Sequence, residues 1–257
     1  MDLLEAASQA SRFRRELNED ATSPIDIFAL ASSIEGLSLF LYPLGNGISG
    51  MCIKSEDTAV AAINSTMSRG RQRFSLGHEL YHYRYGKSGE TAICSTSLSA
   101  SDTTGVEQAA DRFASYLLLP LGAYEDRLEK AKARKGKLEL ADLIWFEQQY
   151  GISHQAMLWR LTTDGFITPA ENLALKDGVI REARRLGYDT ALYRIVDEKA
   201  AERKVLGHYV QMADKLFEQN KISSGKYDEL MLAGFRSDIV YGDEEDDQID
   251  DYPSSVF

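Results

Sequence analysis

The sequence predicts an α+β fold, with a small antiparallel sheet packed against helices and a mostly helical C-terminal part. Three short β-rich runs lie within residues 37–65, and they read LSLFLYPL, SGMCIKS and TAVAAINS. The turn-like stretches GNG and EDT separate these runs, which predicts an antiparallel meander. Helical spacing of apolar residues dominates the rest of the chain, so the sheet is expected to be small.

Helices are predicted before and after these β-rich runs. The first covers residues 2–18. The second begins with Ser23 as N-cap and Pro24 at the first helical position, and it ends near Gly36. The Gly/Ser/Thr-rich stretch 86–105 is predicted to be a loop or flap. Further helices are predicted at 70–86, 104–118, 121–134, 138–149, 154–163, 197–219 and 225–234.

Composition restricts the class of protein. The chain has 257 residues and a net charge of −11, which argues against wrapping of nucleic acid by global electrostatics. It has no run of about 18 apolar residues, and its N-terminus lacks the basic start and apolar block of a signal peptide. The two cysteines, Cys52 and Cys94, suit a reducing compartment. A cytoplasmic protein that does not interact with membranes is therefore expected.

The motif His-Glu-Leu-Tyr-His at residues 78–82 contains two of the chain's four histidines. Positions i and i+4 share one face of a helix, so His78 and His82 can direct both imidazoles at one point. Zinc prefers nitrogen ligands at about 2.0–2.1 Å, and two histidines supply half of a tetrahedral site. Glu79 lies about 100° around the helix, beside the metal, where a carboxylate can act on a water molecule. A polar helix face with coincidental histidines is the alternative.

A second helix offers a third ligand. A catalytic zinc needs three protein ligands and an open fourth position, and Glu107 lies on the predicted helix that begins near residue 104. Asp111 follows four residues later on the same face, where it can accept the spare N–H of a ligating histidine. Ala110 and Ala114 are small enough to let the two helices approach closely. A solvated helix edge is the alternative for both acidic residues.

Three stretches of the chain together resemble the ImmA/IrrE family of zinc metallopeptidases. They are AAIN at 61–64, RQRFSLGHELYH at 71–82 and EQAADRFASYLLLP at 107–120. The later segment GISHQAMLWRLTTDGFI is similar to a helical segment of the same family. The resemblance covers about residues 24–167. Tyr81 stands where the family usually has Gly, which leaves the spacing of the histidines intact and affects only local helix packing.

The resemblance implies a zincin-type pair of active-site helices with Zn2+ as the cofactor. Carried over residue by residue, it gives His78, His82 and Glu107 as the zinc ligands and Glu79 as the general base. The reaction expected of such a site is peptide hydrolysis. Glu79 takes a proton as water attacks the scissile carbonyl, and it later returns a proton to the leaving amine.

The tetrahedral oxyanion of peptide hydrolysis needs a second donor besides the metal. Arg160 is the candidate, because a fixed cation suits that charge, and Tyr81, Tyr83 and Tyr124 are weaker candidates. For Arg160, a structural ion pair on a C-terminal helix is the alternative.

Cysteine and the remaining histidines raise separate questions. A thiolate is a strong zinc ligand, so Cys94 could occupy the open position and hold the enzyme latent; a plain loop cysteine is the alternative. Cys52, inside a β-rich run, is interpreted as a small core residue. His154 and His208 are interpreted as structural or surface residues and not as metal ligands.

The chain is predicted to divide into three parts. An ImmA/IrrE-like metallopeptidase domain occupies residues 1–168, a helical region occupies 169–241, and an acidic tail occupies 242–257. The tail holds seven acidic residues and no basic one, which predicts a disordered segment.

The function that the resemblance implies is regulatory proteolysis. A cytoplasmic zinc endopeptidase would cleave a specific bond in a small helix-turn-helix repressor and so derepress genes of mobile elements, phage defence or stress responses. DNA or a partner protein is expected to relieve latency. One alternative is a non-proteolytic regulator that binds DNA or a partner and uses the fold as a scaffold, with 138–167 as a helix-turn-helix. Another is a toxin–antitoxin or immunity component that binds a partner through its last ninety residues.

Overall fold

The structure, a computed structural model, describes residues 2–95 and 105–242 and confirms the α+β class. The strands are β1 (Leu37–Tyr42), β2 (Ile48–Lys54), β3 (Ala59–Asn64), β4 (Thr91–Ser95) and β5 (Lys204–Gly207). The first seven helices are α1 (Leu3–Glu16), α2 (Ile27–Ser33), α3 (Arg69–Tyr85), α4 (Gly105–Leu118), α5 (Glu125–Lys135), α6 (Leu140–Tyr150) and α7 (His154–Thr163). The C-terminal part adds α8 (Pro169–Leu175), α9 (Val179–Arg185), α10 (His208–Glu218), α11 (Ser224–Ala233) and α12 (Ser237–Tyr241). The predicted acidic tail lies outside the described residues.

The sheet has the strand order β4-β2-β3-β1-β5 and is mixed. β1 pairs with β3 in parallel, with Leu37 opposite Ala59, while the other neighbours are antiparallel. The predicted meander was therefore wrong about β1, which pairs with β3 and not with β2. The physical reason is burial, because β1 and β3 lie at the centre of the sheet and are almost continuously buried. Near-continuous apolar runs are typical of parallel strands, whereas strict alternation marks an antiparallel strand with one wet face.

Two strands lie where the sequence predicted other structure. β4 falls within the predicted loop at 86–105, and β5 falls within the predicted helix at 197–219, where the helix begins only at His208. Both strands are short and form the two edges of the sheet. Their pairing with β2 and β1 outweighs a local composition that favours a loop or a helix.

The N-cap of α2 also differs from the prediction. Asp26 caps this helix, and its Oδ1 accepts hydrogen bonds from the backbone N–H groups of Phe28 and Ala29 at 3.1 and 3.3 Å. The predicted cap, Ser23, instead accepts a hydrogen bond from the buried Arg14 through its backbone carbonyl. The chain therefore stays non-helical through Pro24, and α2 is shorter than expected.

α3 lies between the sheet and α4, and this arrangement positions the candidate site. Ala110 and Ala114 are fully buried, as their small size predicted. A Cβ added at Gly77 would lie 3.2 Å from the Cβ of Ala114, so the two helices touch at small residues. Close approach of α3 and α4 allows side chains of moderate length on each helix to meet.

Asn64, the last residue of the AAIN motif, holds the start of β2. Its Nδ2 donates hydrogen bonds to the carbonyls of Gly45 and Ile48 at 3.0 and 2.8 Å, and its Oδ1 accepts one from the Thr66 backbone at 3.1 Å. A buried amide whose donors and acceptor are all used fixes the turn that leads into β2.

Residues beyond 168 complete both the sheet and α3. β5 adds a strand beside β1, and the carbonyls of Ala191 and Leu192 accept hydrogen bonds from Arg69 and Gly70 at the start of α3, at 3.3 and 3.1 Å. The first N–H groups of a helix have no partner within the helix, so these carbonyls act as its cap. The predicted domain division at residue 168 stays a prediction. Among the described residues, no helix is long and apolar enough to cross a membrane.

Candidate metal centre

His78 and His82 lie on successive turns of α3, and both are 7% exposed. Ser68 caps the helix by accepting a hydrogen bond from the Arg71 backbone, and the helix ends at Gly86. The histidines therefore lie in the second half of a seventeen-residue helix, away from its ends. Both imidazoles are directed towards α4.

Three ligand atoms converge at one point. His78 Nε2 lies 3.1 Å from Glu107 Oε2 and 3.2 Å from His82 Nε2, and His82 Nε2 lies 3.4 Å from Glu107 Oε1. Bonds of about 2.0–2.1 Å to tetrahedral ligands place neighbouring ligand atoms about 3.3–3.4 Å apart. The observed separations therefore fit three ligands of one zinc ion. The structure brings these three residues together as the sequence predicted.

Asp111 fixes the tautomer of His78. Its Oδ1 lies 2.8 Å from His78 Nδ1, so the proton on that nitrogen points to the carboxylate and Nε2 presents its lone pair to the centre. Two imidazole nitrogens at 3.2 Å repel if both present lone pairs, unless a cation lies between them. The arrangement thus suits a metal ion better than a network of hydrogen bonds alone.

Glu79 lies beside this centre and is fully buried. Neither of its carboxylate oxygens has a hydrogen-bond partner among the described residues. A buried carboxylate without a partner is strongly unfavourable, so its presence calls for a functional explanation. It lies against Gly50 of β2, where an added Cβ would stand 2.6 Å from Glu79 Oε1.

The electrostatics of the site favour a positive charge at its centre. Burial lowers the pKa of His78, but its contacts with Asp111, Cys94 and Glu107 outweigh burial and raise that pKa well above the usual value. Close contacts with the imidazoles of His78 and His82 lower the pKa of Glu107, which keeps this carboxylate ionised. Burial raises the pKa of Glu79.

Cys94 is the fourth residue with a ligand atom in this cluster. One ligand atom from each of His78, His82, Glu107 and Cys94 can be chosen so that all four lie within 4.8 Å of one another. The sequence placed Cys94 in a flap, whereas the structure places it on β4, buried at 4% exposure. Burial raises the pKa of its thiol to about 12. Cys52 is a buried residue of β2, as expected.

Arg160 does not fit the predicted role of an oxyanion donor. Its side chain is fully buried, with Nε 2.6 Å from Asp164 Oδ2 and Nη1 3.0 Å from Ser115 Oγ. The guanidinium also stacks on the ring of Tyr116 at 3.4 Å from its centroid, and Tyr124 donates a hydrogen bond to Asp164. The guanidinium is held by partners that do not belong to the metal centre, so the structural ion pair is the better interpretation.

The other two tyrosine candidates, Tyr81 and Tyr83, lie on α3 itself. Tyr81 packs its ring against those of His82, Tyr85 and Phe113, at centroid distances of 5.9, 5.0 and 5.6 Å. These contacts, including the one with Phe113 of α4, explain how α3 accommodates a large residue at this position. Tyr83 lies near Lys54 on another part of the helix surface.

His154 is a buried structural residue, as the sequence suggested. Its Nδ1 lies 2.6 Å from Glu147 Oε1, and its Nε2 lies 2.9 Å from the Leu175 carbonyl. Tyr193 donates a hydrogen bond of 2.9 Å to the other oxygen of Glu147. This group links α6 and α7 to α8 and to the segment that caps α3. His208 is partly exposed at the first residue of α10.

Sequence reasoning missed Gly50 as a residue of the site. The available signal was a glycine inside a β-rich run, which often marks a place where another group approaches the backbone closely. The approaching group is the carboxylate of Glu79 on α3, 29 residues further along the chain. The sequence of the strand alone could not identify it.

A comparison with protein families decides the family. The model of the M78 peptidase family, described as the IrrE N-terminal-like domain, matches residues 34–162, about half of the chain. The chain belongs to the M78 peptidase family. The matched range runs from the residues before β1 into α7 and includes every residue of the candidate metal centre. The M78 match supports a metallopeptidase-like function and does not extend over α1, α2 or the helices after α7. The comparison with curated proteins found no match to this chain.

Proposed function

We propose that this M78 protein is a zinc-dependent endopeptidase. The observation that supports it most directly is the set of three ligand atoms, from His78, His82 and Glu107, separated by 3.1–3.4 Å beside a buried glutamate without a partner. When bound there, zinc supplies a Lewis acid that polarises a carbonyl and lowers the pKa of water.

The side chains of this protein would perform the remaining tasks. Asp111 holds His78 in the tautomer that presents Nε2 to the metal. Glu79 takes a proton from the water that attacks the scissile carbonyl and later returns a proton to the leaving amine. Its raised pKa favours this exchange, because a carboxylate that holds a proton more readily is a better base near neutral pH.

The substrate that we propose is a small helix-turn-helix repressor, cleaved at one specific bond to derepress mobile-element, phage-defence or stress-response genes. Two considerations support this. The motifs of the chain resemble those of the ImmA/IrrE metallopeptidases, and the site is recessed, with each histidine 7% exposed and Glu79 fully buried. A recessed site favours cleavage of an extended segment in one particular protein over cleavage of many different proteins. DNA or a partner protein would provide the activating signal, and the cytoplasm is the proposed location.

The structure gives little support to the alternative, a non-proteolytic DNA-binding regulator. The predicted recognition helix corresponds to α7, in which Gln155 is the only exposed residue of 154–163, a range that the structure describes throughout. A recognition helix needs several exposed polar side chains to reach base edges. The face of α7 instead packs into the core through residues such as Met157 and Leu161.

The experiment that tests this proposal compares cleavage of the helix-turn-helix protein encoded beside this gene by zinc-loaded wild type and by Glu79→Gln. Loss of a general base lowers the rate by about 10²–10⁴-fold, while zinc content measured by elemental analysis stays at one per chain. Glu129→Gln on the exposed face of α5 is the control and should cleave like wild type. Equal cleavage by wild type and Glu79→Gln would exclude the peptidase mechanism.

A further inference from the structure

Cys94 reaches the metal centre because of how β4 is attached to β2. The register of the two strands shifts between Ile48 and Gly50, where Ile48 lies opposite Ser95 and Gly50 opposite Cys94. Ser49 is therefore an extra residue in β2, and its hydroxyl donates to the carbonyls of Cys94 and Ser95 at 3.2 and 3.0 Å. Such bulges are frequent next to active sites, where they redirect a side chain.

The side chains of β4 show which face Cys94 occupies. Ile93 is 63% exposed and Cys94 is 4% exposed, so the thiol points inward while its neighbour points to solvent. The thiol interacts with both His78 and Glu79. It is thus held by a strand that is anchored to β2, and it is not a residue of a free loop.

The distances allow a fourth bond to the metal. The four ligand atoms lie within 4.8 Å of one another. A zinc–sulfur bond of about 2.3 Å places the sulfur about 3.6 Å from the other ligand atoms of a tetrahedral site. The separations in the structure exceed this spacing by at most about 1.2 Å, a distance within the reach of a side-chain movement of Cys94. Sulfur is also among the ligands that zinc prefers most.

Glu79 distinguishes a latent enzyme from a purely structural zinc site. Four protein ligands close a zinc site, as in structural sites, whereas a catalytic site keeps one position open. A structural site has no use for a fully buried carboxylate beside the metal, since burial of such a group is unfavourable for folding. The retained Glu79 indicates that the fourth position is opened for chemistry.

We propose that the thiolate of Cys94 is a fourth protein ligand of the metal and that it keeps the resting enzyme latent. The inference rests on the proposed function, because it concerns the same metal. As the sulfur–metal bond forms, the S–H bond breaks and its proton is released to solvent, with no change of oxidation state. Catalysis then requires the sulfur to leave the metal, which a shift of β4 relative to β2 would produce.

Cobalt provides a readout that does not depend on activity. The full-length chain, kept reduced and freed of metal with a chelator, is titrated with Co2+ alone. A near-ultraviolet sulfur-to-cobalt charge-transfer band is expected in wild type and in Cys52→Ala, which retains Cys94 as its single thiol. Cys94→Ala and Cys94→Ser should lose this band and keep the visible d–d bands, because the two histidines and Glu107 remain.

The same cobalt proteins report whether the thiolate blocks the open position. Acetohydroxamate, a small metal ligand, is titrated while the d–d bands are followed. If the thiolate is bound in about nine molecules of ten, its removal strengthens apparent hydroxamate binding by about tenfold. Cys52→Ala should bind hydroxamate like wild type.

The possible failures are distinct. Visible d–d bands without a charge-transfer band in wild type would overturn the proposed ligand and leave the metal centre intact. A charge-transfer band that persists in Cys94→Ala would also overturn it. Equal hydroxamate affinity in wild type and Cys94→Ala would overturn latency. Absence of d–d bands in every variant would remove the metal centre, and with it the proposed function.

Discussion

Gly50 on β2 makes room for the carboxylate of Glu79 on α3. An added Cβ at Gly50 would lie 2.6 Å from Glu79 Oε1 and 3.1 Å from the Ala62 carbonyl, so the Glu79 carboxylate would have to move away from the strand. The base of the proposed reaction therefore depends on a residue of the sheet that carries no side chain.

Gly50→Ala should reduce hydrolysis with little effect on metal content. The new methyl group displaces the Glu79 carboxylate, and a misplacement of about 1 Å can lower a rate by about 10²-fold. The measurement pairs the cleavage rate with zinc content. Gly225→Ala on α11 is the control, since an added Cβ there meets no described atom within 4 Å. A Gly50→Ala rate within twofold of wild type would contradict the positioning of Glu79.

Asp111→Asn should weaken metal binding. The asparagine keeps the shape of the side chain but removes the charge that holds the Nδ1 proton of His78, and loss of such a partner lowers metal affinity by about 10–100-fold. Competition with a chromogenic zinc chelator measures the affinity. Asp126→Asn, an exposed residue of α5, is the matched control. Unchanged affinity in Asp111→Asn would mean that the carboxylate does not support the ligand.

Arg160→Met should reduce stability and leave the chemistry intact. The substitution leaves Asp164 without its cation, and breaking a buried ion pair in this way destabilises a protein by about 3–5 kcal/mol. Denaturant unfolding of the zinc-loaded protein measures the change. Replacing Asp164 with Asn as well should recover part of the loss. A folded Arg160→Met protein that cleaves about 100-fold more slowly would restore the oxyanion role.

His154 should make stability depend on pH. Burial lowers its pKa, but Glu147 and the Leu175 carbonyl raise it more, so the folded pKa exceeds the unfolded value of about 6.5. This contribution to stability is complete below about pH 6.5 and is lost as pH rises through the folded pKa. Denaturation midpoints from about pH 5.5 to 9 should fall more steeply for wild type than for His154→Gln. His208→Gln should follow wild type; identical slopes for wild type and His154→Gln would contradict the prediction.

Local patterns were sufficient to predict the half of the site that lies on helices. The i, i+4 spacing of His78 and His82 depends only on helix geometry, and α4 carries Glu107 and Asp111 with the same spacing. The structure brings these four residues together because Gly77 and Ala114 allow close helix packing, and small residues can be recognised in a sequence.

The half that lies on the sheet was not predictable in the same way. Five residues of β4 carry too weak a signal to separate a strand from a loop, so the inward position of Cys94 depends on its pairing with Gly50 of β2, 44 residues earlier. Parallel pairing of β1 with β3 likewise depends on tertiary structure, because burial at the centre of the sheet determines it. The burial of Arg160 arises from α4 and α7 together, and no property of α7 alone reveals it.

The carbonyls of Ala191 and Leu192 that cap α3 lie outside the range matched by the family model. A recombinant fragment trimmed to residues 34–162 would thus leave the first turn of the histidine-bearing helix frayed. Inhibitor screening or metal titration with such a fragment would measure a metal centre whose histidine-bearing helix has lost its N-terminal cap. An effector that binds residues 190–196 would therefore act on α3, the helix that carries both histidines, through these capping carbonyls.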